Sequence, residues 1–224
     1  MSLTEAEHVF AGIHEDGLND LLRAFFAARG HYLRYGSPAF VATTTASETT
    51  MSPILFPGVP GGIEWAVAFS PPRIDLFKQT DPALPPELSI GANQFSLRTA
   101  ATLCIACDER ERHQDDPFGT HGQGGPKVHP ACTELTVWAT GHLNVRNFGG
   151  GSGDIGFAVD AVEIVDITPN SLESMLECLI LMILRGALSG VRLPFTALRA
   201  GAFDLLLTRG PEINDDRMKL YGTT

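Results

Sequence analysis

Two residues separate Cys104 from Cys107, and two separate His129 from Cys132. That is the ligand spacing of a structural zinc site. A zinc knuckle needs a turn between its cysteines, however. Leu-Cys-Ile-Ala-Cys reads as strand, on which residues three apart point to opposite faces. Small buried thiols are the expectation here, since free Cys behaves as a small hydrophobe. His113, His121 and His129 share a polar stretch with Asp108, Asp115 and Asp116. They would bind a metal only if that stretch folded back on itself. An exposed loop over 108–131 is expected instead, and no metal.

The remaining candidates are weaker. GGGSG at 149–153 invites a phosphate-loop reading, which requires a helix after the loop. Here Asp154–Ile167 reads as strand, so a hairpin turn is expected. Ser152 lacks the second glycine of a nucleophile elbow. Asp115–Asp116 and Asp215–Asp216 are sequence neighbours. Carboxylates that share acid–base work must face each other across a substrate, which neighbours rarely do. No catalytic residue and no cofactor is expected.

The elements follow from hydrophobic period. Leu18, Leu21, Leu22, Phe25 and Phe26 recur at helical spacing, Thr4 and Glu7 have capping-box spacing, and Gly30 marks a stop. A helix over 8–28 is expected, with Gly12 and Gly17 as weak points. From His31 to Ile167 the period becomes two: Ile63–Phe69, Phe95–Cys107, Leu135–Val145 and a series from Ile155. PGVPGG, DPALPPE and NFGGGSGD supply turns, so neighbouring strands should pair antiparallel. Leu172, Met175, Leu176, Leu179, Met182 and Ile183 restore the helical period over 170–189, with Asn170 as cap and Gly190 and Pro194 as stop. This helix is apolar all round at its middle, which predicts burial on more than one side. A strand pair through Phe203, Leu205, Leu207 and Met218, Leu220 ends the chain. A turn at GPEINDD joins its two members. The fold class expected is α+β, as one domain over 1–224.

Composition limits the partners. The 224 residues carry a formal net charge of −10, and 44% are apolar against 19% charged. No Lys/Arg cluster exists, so no nucleic-acid partner is expected. The longest apolar run, Cys178–Leu184, falls far short of the ~20 residues that span a bilayer. The acidic start MSLTEAEHVF does not read as a signal peptide. A cytoplasmic location without disulfides is expected on that ground.

AVEIVDITPNSLESMLECLILMIL followed by GVRLPFTALRAGAFDLLL resembles the end of a domain of the tubular lipid-binding (TULIP) superfamily, the fold of bactericidal/permeability-increasing protein-like domains. Gly17–Arg29 would supply that fold's second clamp helix. The resemblance implies a highly curved antiparallel sheet wrapped around the long C-terminal helix, with an apolar tunnel for lipid tails. It implies membership of intracellular or toxin-accessory bacterial branches, because the secreted members' signal peptide and disulfide are not evident. The expected function is therefore non-catalytic binding of a lipid or other long apolar ligand. Leu18, Leu21, Leu22, Phe25 and Phe26 would line one side, and Leu176, Leu179, Met182 and Ile183 the other. The alternative is a structural or interaction subunit with a filled core, as a homo-oligomer or with a protein partner.

Overall fold

The alternating patterns dominate the molecule, and strand is its main content. The structure is a computed structural model and describes residues 7–41, 48–56, 59–76, 83–107, 130–149, 152–165, 170–195, 199–200, 203–204, 206–214 and 216–223. In order these are β1 (Val9–His14), α1 (Glu15–Ala28), a 3-10 turn (Gly30–Leu33), β2 (Arg34–Gly36), β3 (Thr49–Thr50), β4 (Ile54–Phe56), β5 (Val59–Phe69) and β6 (Arg73–Asp75). There follow β7 (Gln94–Cys107), β8 (Ala131–Gly149), β9 (Ser152–Ile164), α2 (Asn170–Ser189), β10 (Arg192–Phe195), β11 (Arg199–Ala200), β12 (Phe203–Asp204), β13 (Leu206–Asn214) and β14 (Arg217–Thr223). The class is α+β, as expected. The chain divides into two compact units, one of Met1–Phe25, Pro72–Thr99 and Thr136–Thr224, the other of Phe26–Pro71 and Ala100–Leu135.

In the first unit β8 and β9 form a long antiparallel hairpin, and β10 adds to β9. The strand that begins within GGGSG, Ser152–Ile164, removes the helix a phosphate loop needs. β6 pairs antiparallel with β7. A separate three-stranded sheet runs β1-β14-β13. Here the sequence-based helix over 8–28 is corrected: Val9–His14 is strand, in register with Gly222–Arg217 of β14. Gly12 sits mid-segment and disfavours helix, while the strand gains a ladder of main-chain bonds. The helix starts only at Glu15, where His14 Nδ1 accepts the Asp16 amide at 3.3 Å. Thr4 lies outside the described residues. The closing turn is also shorter than expected, because β13 continues through Pro211 to Asn214. Asp216 adopts φ +56° there, a conformation that Asp tolerates.

Both helices bury narrower faces than the pattern suggested. In α1 Leu18, Leu22 and Phe26 are buried, Phe25 is half-buried and Leu21 is 44% exposed. Asn19 is buried beside them and grips β6. Its amide donates to the Ile74 carbonyl and its carbonyl accepts the Ile74 amide, both at 2.7 Å. A side chain thus does the work of a neighbouring strand for a three-residue β6. Glu15 adds a bond from the Leu76 amide at 3.2 Å.

α2 occupies the expected span and packs on β9. Its buried side is Leu176, Ile180, Ile183, Leu184, Ala187 and Leu188, with Leu179 half-buried. Met175 and Met182 are exposed, Met182 at 59%. The expectation of burial on more than one side is therefore corrected: one sheet face covers one side of the helix. Among the described residues no helix is long and apolar enough to cross a membrane.

In the second unit β5 pairs antiparallel with β7, β2 and β4, and β2 lies parallel to β3. Trp65 is its centre. The indole donates to the Ser52 carbonyl at 3.1 Å, and the Ser37 hydroxyl bridges both main-chain groups of Trp65. The cysteine expectation fails here. Cys104 and Cys132 are joined by a disulfide, with Cα atoms 4.1 Å apart. Neither is a core thiol: Cys132 is exposed and Cys104 half-buried. Cys178, on α2, is an exposed free thiol. The side chain of Cys107 and the whole of 108–129, with His113, His121 and His129, lie outside the described residues.

Candidate functional site

The first unit's chemistry gathers at one irregularity in β9. Thr140 of β8 stands opposite Ala161, but Gly141 stands opposite Val159, so Asp160 has no partner in the ladder. This is a β-bulge, which re-aims the extra side chain. Gly141 lets the two strands approach closely at this slip. A Cβ there would collide with the Ala158 carbonyl and come within 2.7 Å of the Phe95 ring. Phe95 in turn meets Phe157 edge-on, with ring centres 5.8 Å apart. Arg185 of α2 secures the bulge by donating to the Val159 carbonyl at 2.9 Å and the Asp160 carbonyl at 3.2 Å. The helix thus takes up carbonyls at the point where the ladder slips.

Asp160 faces His142, whose Nδ1 lies 3.0 Å from both carboxylate oxygens. The same carboxylate accepts the Gln94 side-chain amide at 3.4 Å, and Gln94 Oε1 accepts the Gly91 amide at 2.6 Å. A His–Asp pair orients an imidazole for proton transfer when a nucleophile stands at its other nitrogen. Among the described residues His142 has no hydroxyl or thiol partner. The pair is better placed to hold Gln94.

Gln94 matters because it walls an open hollow of about 690 Å³. Leu76, Leu84, Leu88, Ile90 and Ile213 line it, with Ser89, Asn93 and Gln94 as polar members. Its rim is pinned: Asn93, at φ +61°, accepts the Ile213 amide at 3.0 Å and ties the 83–93 segment to β13. The volume falls within the ~300–1,000 Å³ of small-molecule sites. None of Leu18, Leu21, Leu22, Phe25, Phe26, Leu176, Leu179, Met182 or Ile183 lines it. α1 contributes indirectly, because Asn19 holds the strand that leads into Leu76 and Glu15 accepts the Leu76 amide.

A second group lies along β9 and α2. Carboxylate oxygens of Glu163, Glu173 and Glu177 lie within 4.8 Å of one another. Burial, then the charges of Glu177, Glu87 and Glu173, push Glu163 up to about 7. Such a set of oxygens suits a hard cation, and it equally suits protons shared among repelling acids.

The sequence did hold a signal for the bulge. Buried residues in β9 fall at 155, 157 and 159, then at 162 and 164. That slip from odd to even positions is what one extra residue produces. The hollow's wall, 83–93, carries no period and could not have been read as a site. No family model matches this chain, and no curated protein matches its sequence.

Proposed function

We propose that this protein binds an apolar small molecule, of lipid or similar character, without chemical conversion, and that the hollow at 83–94 and Ile213 is where it does so. The observation that carries the reading is the lining: five large aliphatic side chains around about 690 Å³, with two amide side chains at one border. Aliphatic walls reward removal of an apolar ligand from water, and a few fixed polar groups orient it. The resemblance of 161–184 and 190–207 to tubular lipid-binding domains supports the same class of ligand. The packing of α2 on β9 is the part of that arrangement on which the comparison leans. The Cys104–Cys132 disulfide favours an oxidising compartment over the cytoplasm.

An interaction subunit is the second reading, favoured by one observation. Met175, Cys178 and Met182 are exposed on consecutive turns of one α2 face. Native mass spectrometry with uptake of the uncharged dye Nile red separates the two. A carrier takes up one dye per chain, and Ala92→Trp, which puts an indole at the exposed rim of the hollow, abolishes uptake with the melting temperature kept. Leu179→Trp, away from the hollow, leaves the dye bound. No uptake by the wild type, together with a concentration-dependent oligomer, would decide for the subunit.

A further inference from the structure

The charge around the hollow restricts what its ligand carries. Among the described residues that line it there is no Lys, Arg or His. Arg209 lies nearby in sequence on β13, but its guanidinium is committed, 3.0 Å from Glu212 and 4.3 Å from the Tyr221 ring. On the other side, Gln94 has the Asp160 carboxylate directly behind its amide. Glu87 stands in the wall segment itself, exposed between Leu84 and Leu88. The chain as a whole carries −10.

A fatty-acid carboxylate or a phosphate placed here would find no cation among the described lining residues to offset its lost hydration. It would also meet like charge. A protonated amine would meet the opposite. We infer that the hollow takes apolar molecules bearing an amine head, ranks alcohols below them, and discriminates against carboxylates. The inference rests on the apolar-ligand reading above and adds the head group to it. Asp160 acts through its charge and through Gln94. Glu87, next in sequence to the lining Leu88, acts through its charge, which also bears on Glu163. His142 holds the Asp160 carboxylate in place.

The test is displacement of Nile red from the full chain by dodecylamine, dodecanol and dodecanoate, chosen to differ only in the head. Dodecylamine should bind roughly ten-fold more tightly than dodecanoate, with dodecanol between, since reversing the sign of a head group beside a half-exposed carboxylate has that order of effect. Asp160→Asn and Glu87→Gln should each narrow the amine-to-alcohol ratio. The ratio is internal to each variant, so a general loss of affinity does not mimic the effect. If Asp160→Asn fails to fold, exposed Glu87 supplies the variant. Dodecanoate binding as tightly as dodecylamine would overturn the inference. So would an amine preference that neither variant narrows, or bound dye that none of the three displaces. Failure of Nile red itself to bind would instead bring down the apolar-ligand reading, and the head-group inference with it.

Discussion

Asn19→Ala tests how the hollow's floor is held. Asn19 is 8% exposed and Ile74 is fully buried. The substitution deletes two bonds of 2.7 Å and strands both the amide and the carbonyl of Ile74. A buried main-chain group without a partner costs about 1–3 kcal/mol, so two of them, partly rehydrated through the small hole left by the amide, cost about 3 kcal/mol. For a chain of this length that lowers the melting temperature by about 6–12 °C. Urea unfolding followed by circular dichroism should show the midpoint falling with an unchanged slope. Asp20→Ala is the control on the same helix. It removes an exposed ion pair to Arg23 at 2.8 Å and should cost less than about 0.5 kcal/mol. Because β6 leads into Leu76, Asn19→Ala should also weaken Nile red uptake. An Asn19→Ala protein no less stable than Asp20→Ala would refute the view that a side chain substitutes for a strand here.

Two further outcomes are expected. The Cys104–Cys132 bond closes a loop with a sequence separation of 28, for which chain entropy gives up to about 3.5 kcal/mol. The Cys104→Ser/Cys132→Ser protein should unfold at lower urea than the oxidised wild type, and dithiothreitol should bring the two together; coincident midpoints without reductant would contradict the bond. Glu163 is raised from 4.5 to about 7, so the native state holds more protons than the unfolded chain between those values. Stability is therefore full below about pH 4.5 and falls as pH rises through 7. The loss is about 1 kcal/mol once solvent screening of a part-exposed site is allowed for. Glu163→Gln should remove that slope and raise the melting temperature at pH 8 but not at pH 4; an unchanged slope would show the acids to be independent.

The long periodic segments were legible because burial of one face writes itself into alternate positions. β7, the β8–β9 hairpin and α2 all lie where Phe95–Cys107, Leu135–Val145 and Leu172–Ile183 placed them. β1 was misread because six residues with a central glycine carry too little pattern to outvote the helix beside them. What specified it was β14, two hundred residues away in sequence. The helix faces were read too wide for a similar reason. Periodicity marks which residues are apolar, while the partner decides which of them are covered, and β9 covers one side of α2 only. Cys104 and Cys132 were set in one zinc-like pattern and then read as core thiols, because the pairing of β7 with β8 that brings them together is not written in their spacing.

The polar site was the least legible part, and the reason is physical. Asp160, His142 and Gln94 come from three strands, and each alone is an ordinary solvent-facing strand residue. What joins them is the bulge, and the bulge depends on an absence: Gly141 has no Cβ to strike the Ala158 carbonyl. Remove the extra residue and the face of β9 beyond it inverts, taking Glu163 off its surface and Val162 and Ile164 out of the core. Arg185 is then needed as well, because the slip leaves strand carbonyls that a helix side chain must reach. The same irregularity therefore sets two things at once. It fixes the phase in which β9 meets α2, and it turns the one carboxylate that stands behind Gln94 toward the hollow's polar border.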